Sequence, residues 1–209
     1  FKVGHTSTSI ALAVGMAQAR DLVNPDSHEN VMAVIGDGSL SGGLAFEGLN
    51  NAAKLKSNLI ILVNDNQMSI DEDQGGLYRG LKELRDTQGQ SANNIFKFMG
   101  LDYRYVADGN DLKTMIDVFK EVKNIDHPIV LHVNTQKGKG YQPAIDDQKK
   151  YHWRAPFDLQ TGESKQSAPK ESYSAAVIDE LNAQVEAGKP VVAINAEIPG
   201  MFDMERINS

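Results

Sequence analysis

With 209 residues, 23% of them charged and 41% hydrophobic, the chain has the make-up of a globular protein with one sizeable core and room for part of a second. A net charge of −7 and a pI near 5.2 argue against a nucleic-acid surface, and no apolar run approaches the roughly 20 residues of a membrane helix. The absence of cysteine excludes disulfides, a thiol nucleophile and thiolate metal sites, and suits a cytoplasmic protein.

In chain order, residues 6–22 open with Ser/Thr caps and continue through Ile10, Leu12, Val14, Met16 and Ala17, which predicts a largely apolar, buried helix. Residues 31–35 and 59–63 are short β-branched runs without period-2 alternation, as in strands of a parallel sheet covered on both faces. Between them, Leu44, Phe46, Leu49, Ala52, Ala53 and Leu55 space out as a helix over 41–56. Residues 71–94 are polar and hold Gly75, Gly76, Gly80 and Gly89, so a mobile loop is expected there, with one short helix near 81–85. A brief helix over 95–99, a strand over 103–106, an amphipathic helix over 111–123 and a buried strand over 129–133 follow. Residues 142–170, with Pro143, Pro156 and Pro169, read as a linker; a helix over 171–186 and a strand over 191–195 then open a new α/β unit. The fold class is α/β: a mostly parallel open sheet with helices on both faces, plus the start of a second α/β domain. The expected division is 1–141, 142–169 and 170–209.

The two parallel runs end in polar turns, Gly36-Asp37-Gly38 and Asn64-Asp65-Asn66. Strand C-terminal ends are where open α/β sheets bind ligands. Asp37 offers a hard carboxylate oxygen and Asn66 a neutral amide oxygen, the donor types that Mg²⁺ takes beside phosphate oxygens. Gly42-Gly43 at the start of the next helix allows close backbone approach, and a helix N-terminus favours an anion. A divalent metal holding a diphosphate is the chemistry this pattern suits.

The pair resembles the thiamine-diphosphate signature. The stretches Gly4-His5-Thr6-Ser7-Thr8-Ser9-Ile10, 36–51 with Phe46-Glu47-Gly48-Leu49-Asn50, 64–70, and Lys137-Gly138-Lys139-Gly140-Tyr141 together resemble the 1-deoxy-D-xylulose 5-phosphate synthases. That resemblance implies thiamine diphosphate and Mg as cofactors, with Asp37, Asn66 and the backbone carbonyl of Met68 on the metal. It implies Gly38 and Ser39 at the diphosphate, and Gly4, His5, Thr6 and Ser7 beside the cofactor and the reacting substrate. Lys137, Lys139 and Tyr141 would complete the cofactor turn, and His152 would face the substrate. Asp65 is expected to point at its own backbone, and His28, His127 and His132 to be structural or on the surface.

The implied reaction condenses pyruvate with glyceraldehyde 3-phosphate, with loss of CO₂, for isoprenoid and thiamine synthesis, in a homodimer without nucleic acid or membrane. The donor motif alone leaves room for a transketolase, the decarboxylating subunit of a 2-oxo acid dehydrogenase, or a non-catalytic thiamine-diphosphate-binding module. Two departures stand out. Residues 70–95 are shorter than the family insertion. The activating glutamate of the family lies in a later Glu-Gln-His stretch absent from these 209 residues, and Glu197 matches an earlier loop instead. The chain therefore reads as partial, with no synthase activity expected from it alone.

Overall fold

A computed structural model describes residues 4–27, 29–70, 72–165 and 172–194. The chain divides into two compact units, Phe1–Ile145 and Asp146–Ser209. The first contains a four-stranded, all-parallel sheet of β1 (Met32–Gly36), β2 (Leu59–Asp65), β3 (Asp102–Val106) and β4 (Pro128–Asn134), in the order β1-β2-β4-β3. Its helices are α1 (Ser9–Val23), α2 (Asp37–Leu40), α3 (Gly43–Ala52), α4 (Gly76–Asp86), α5 (Ile95–Phe98) and α6 (Leu112–Val122), and α7 (Gln142–Asp146) ends at the division.

The strand order explains how the helices are shared between the faces. A right-handed crossover places its helix on a face set by the direction of travel. The steps β1 to β2 and β2 to β3 run the same way across the sheet, and β3 to β4 turns back. Accordingly Leu49 of α3, Leu81 and Leu84 of α4 and Phe96 of α5 pack with α1 in one core. Val118 and Val122 of α6 pack with Ile60, Leu62 and Leu131 in the other. The central strand β2 is buried almost end to end, as its unalternating sequence predicted, and so is β4; β1 departs from the same expectation, for its residues alternate, with Met32 and Val34 exposed and Ala33 and Ile35 buried. Helices α1 and α3 cross at Gly48, where a Cβ would strike Ile10 and the Ala11 backbone. Asp111 caps α6 by accepting from the Thr114 amide at 2.6 Å.

Four local expectations change. Gly36-Asp37-Gly38 is not a free turn, since Asp37 opens the single-turn helix α2, and the expected helix over 41–56 shortens to α3. Residues 76–86 form a three-turn helix, α4, where a mobile loop with only a short helix near 81–85 was expected; Leu77, Tyr78, Leu81 and Leu84 anchor it to the core despite the surrounding glycines. Helix α1 is only half buried, with Met16 and Leu22 exposed.

In the second unit, α8 (Tyr173–Glu186) is capped by Ser172, whose hydroxyl accepts from the Ala175 amide at 3.0 Å. Residues 191–194 form no strand, and a strand needs a hydrogen-bonded neighbour. Asn195 and Glu197 lie outside the described residues, as does His28.

Candidate functional site

Strand register sets the site. Gly36 lies beside Asn64, and Asn64 beside Val133, so the C-terminal ends of β1, β2 and β4 finish on one level. The two polar turns meet there. The Asp37 side chain, in a residue only 2% exposed, accepts from the Gly38 amide at 2.9 Å with one oxygen. Its other oxygen accepts from the amides of Asn66 and Gln67 at 2.8 and 2.6 Å. The Asn66 side-chain oxygen accepts from the Met68 amide at 3.2 Å, and Met68 bridges to Glu72. Gln67 adopts the left-handed conformation, φ 68°, that closes the turn. Gly38 packs so closely on Ser69 that a Cβ there would collide with it.

The electrostatics of this rim are unbalanced. Burial, reinforced by the charge of Asp73, pushes the Asp37 carboxyl up to about 6 against the pull of its amide donors. Asp73 is also raised, by burial and the charge of Asp65, and its Oδ2 is buried without a hydrogen-bond partner. Lys137 donates to the Ser69 carbonyl at 2.5 Å. Burial lowers its ammonium below the usual range, against the charges of Asp37 and Asp73. Two crowded carboxylates and an orphaned buried oxygen are an arrangement that a cation relieves. Among the described residues no three His, Asp or Glu side chains gather as a metal cage. The expected donor set is of another kind, with one carboxylate, one amide oxygen and one carbonyl.

The N-terminal motif reaches the same end of the sheet. His5, Thr6 and Ser7 line a cleft of about 510 Å³ with Gly36 and Ser39. The Ser7 side chain fills the space where a Cβ on Gly42 would sit. His5 is exposed and its Nδ1 lies 2.7 Å from the Thr6 carbonyl oxygen. Gly4 is exposed beside it. Lys139 is exposed and Tyr141 half-buried, in a turn closed by the Tyr141 amide donating to the Gly138 carbonyl at 3.0 Å. His152 belongs to the second unit, where it is exposed in a turn and its amide donates to the Lys149 carbonyl at 3.2 Å.

Three contributors escaped the sequence reading. Tyr78 of α4 donates to the Gly38 carbonyl at 3.4 Å. Asp73 stands beside Asp37. Asn110, in the loop after β3, accepts from the Gln136 amide at 2.7 Å. The spacing of Leu77, Leu81 and Leu84 was the available signal for α4, and hence for Tyr78. Asp65 does accept from the Gln67 amide at 3.2 Å, as an Asx turn would. Its main engagement, however, is with Arg85 and His132.

A sequence profile of the family described as 1-deoxy-D-xylulose-5-phosphate synthase matches residues 1–94 and 85–135. The chain is 40% identical over 237 aligned positions to a 1-deoxy-D-xylulose-5-phosphate synthase of Clostridium beijerinckii, covering 95% of this chain and 37% of that protein. It is 36% identical to the enzyme of the same name from Lachnoclostridium phytofermentans, with 95% and 37% covered. Identity to 1-deoxy-D-xylulose-5-phosphate synthase 1 of Geobacter sulfurreducens is also 36%, again with 95% and 37% covered. The chain thus spans 37% of the length of these relatives. The alignments are longer than the 209 residues, so the relatives carry stretches here that this chain lacks.

Proposed function

The chain belongs to the 1-deoxy-D-xylulose-5-phosphate synthase family, and on that premise we propose that its first unit holds the magnesium-bound diphosphate of thiamine diphosphate. The observation that carries this reading is Asp37: a buried carboxylate on which both polar turns converge, beside a second carboxylate with an orphaned oxygen. Asp37, the Asn66 amide oxygen and the Met68 carbonyl would hold Mg²⁺. Hard oxygen donors with phosphate completing the shell suit that ion. Gly38 and Ser39 would face the diphosphate. Lys137, Lys139 and Tyr141 would border it, and Gly4, His5, Thr6 and Ser7 would line the cofactor cleft.

When bound, thiamine diphosphate supplies a carbon nucleophile and an electron sink for a 2-oxo acid. The residues of this chain anchor and orient. Asp37 fixes the cation through an oxygen already aligned by backbone amides. Lys137 places positive charge where phosphate oxygens would come to lie. His5, exposed in the cleft, is the group available there to hold or pass a proton, and His152 is proposed to serve the substrate. In the whole protein the reaction would join pyruvate to glyceraldehyde 3-phosphate with loss of CO₂, in a homodimer.

Titration calorimetry of this chain with thiamine diphosphate and Mg²⁺ tests the reading. Asp37→Ala should weaken Mg²⁺-dependent binding by about 100-fold or more, above the loss typical of residues that merely support a metal ligand. Binding unchanged by that substitution removes the assignment. In the whole protein, transfer from a ketose phosphate without CO₂ release would point instead to transketolase chemistry.

A further inference from the structure

Beneath the metal turn lies a buried polar cluster that the proposed cofactor chemistry does not use. Asp65 and His132 are fully buried. His132 Nε2 is 2.7 Å from Asp65 Oδ2, and the same oxygen accepts from Arg85 at 2.5 Å. On the other side of the ring, the Tyr103 hydroxyl is 2.7 Å from His132 Nδ1. With a neutral imidazole one donor order satisfies every atom: Tyr103 donates to Nδ1, and Nε2–H and Arg85 both donate to the carboxylate. Phe96, Tyr103 and Tyr105 enclose the ring. Burial would push Asp65 up, but His132 and Arg85 outweigh it and hold the carboxyl below its usual range.

The cluster reaches the site through one amide. The Gln67 N–H points at both carboxylates, 3.2 Å from Asp65 Oδ1 and 2.6 Å from Asp37 Oδ2. Gln67 is held at φ 68°, a left-handed conformation that strains a residue with a side chain. Such strain persists only where the surroundings over-determine it. The Asp65 carbonyl also accepts from the Thr135 amide at 2.9 Å, and the Thr135 hydroxyl donates to Asn64 Oδ1 at 2.6 Å. The turn is thus clamped from β4 and from α4.

We propose that Arg85 and His132 are positioning residues which, through Asp65, hold Gln67 left-handed and so present the Asn66 and Gln67 amides to Asp37. Arg85 does this from α4, which makes that helix a strut for the metal turn. The proposal rests on the cation reading only for its consequence in binding; its structural content stands without a ligand.

The test is hydrogen exchange on the full 209-residue chain without ligand, followed by Mg²⁺-dependent thiamine diphosphate binding. Arg85→Met should speed exchange at the 66 and 67 amides by about tenfold or more relative to the β2 and β4 core amides. It should also weaken Mg²⁺ about tenfold, the low end of losses at groups that orient metal ligands. Arg85→Lys should restore part of both. Adding Gln67→Gly, which accepts positive φ without strain, should restore Mg²⁺ affinity to Arg85→Met. If Arg85→Met folds poorly, the double variant Asp65→Asn/Arg85→Met removes the uncompensated buried charge and gives the same readout.

Exchange that rises equally across the whole sheet, or does not change at 66–67, overturns the proposal by leaving the cluster a purely structural role. If the wild-type chain binds no thiamine diphosphate, the functional reading falls while the exchange measurement still decides this one.

Discussion

The two ends of the parallel sheet are both polar, but they are polar in different ways. At the N-terminal end, Arg20 donates to the carbonyls of Glu29 at 2.6 Å and Asn58 at 3.3 Å and to the Ser57 hydroxyl. Asn58 accepts from the Val31 amide at 3.1 Å and donates to the Ile125 carbonyl at 3.0 Å and to Asn30 at 3.1 Å. Asn30 in turn accepts from the Asn124 amide at 2.9 Å. Donors and acceptors match, and this end ties loops together. At the C-terminal end, Asp37 and Asp73 crowd each other and one carboxylate oxygen has no partner. Polarity that closes on itself stabilises a fold; polarity left uncompensated marks a place prepared for something else.

Substitutions at the two ends should therefore move opposite quantities. Arg20→Ala at the closed end removes the donors of the buried Ser57 hydroxyl and of the Asn58 and Glu29 carbonyls, and urea unfolding should show a loss of about 1–3 kcal/mol. Folded protein should still bind thiamine diphosphate and Mg²⁺ as the wild type does; a binding loss larger than the stability loss would blur the distinction. Asp73→Asn at the open end should do the reverse. It relieves a charge that Asp37 opposes, and since Asp73 is partly solvent-screened the gain should be about 0.5–1 kcal/mol. Saturating Mg²⁺ and thiamine diphosphate should shrink that gain, because a bound cation relieves the same repulsion. A destabilised Asp73→Asn would mean that the crowding is compensated in some other way.

The smallest effect belongs to His127, at the closed end, which lies 2.8 Å from both Asp126 and Asp102. Hydrogen bonding to Asp126, with help from Asp102, raises its imidazole above the ordinary value despite some burial. The folded state then holds the proton more tightly than the unfolded chain, so this contribution is complete below about pH 6.5 and is lost as pH rises through the folded value. The pair is exposed, which limits it to at most about 1 kcal/mol. Thermal melts from pH 5 to 8 should show it, and His127→Gln should remove that part of the slope.

The sheet was legible because the β-branched runs at 31–35 and 59–63 and the buried run at 129–133 have little else to be, although two-sided burial holds for β2 and not for β1, whose residues alternate. Asp37 and Asn66 were singled out because strand-end turns expose short polar side chains, and these two do meet. The partners of Asp65 were hidden. A salt bridge to Arg85 across 20 residues and a contact with His132 across 67 leave no local pattern. Helix α4 was expected only as a short helix near 81–85 because its glycines outweighed four apolar positions in a short window, whereas in the folded chain core packing extends it over 76–86. His5, Thr6 and Ser7 share one cleft with Gly36 and Ser39 because the start of α1 packs beside the β1 end and Gly42, an arrangement that no single segment specifies.

The strand order has a consequence for the birth of the site. β2 lies between β1 and β4, yet β4 is separated from it by more than sixty residues of chain. Contacts of such sequence separation form slowly, because the loop between them must close first. Asp37 and the 64–67 turn can meet as soon as β1 and β2 pair. Their clamp from His132 and Thr135 arrives only with the last strand. The metal turn is encoded early in the unit and finished late, so a nascent or partly folded chain would carry the ligands before it carries the geometry to use them.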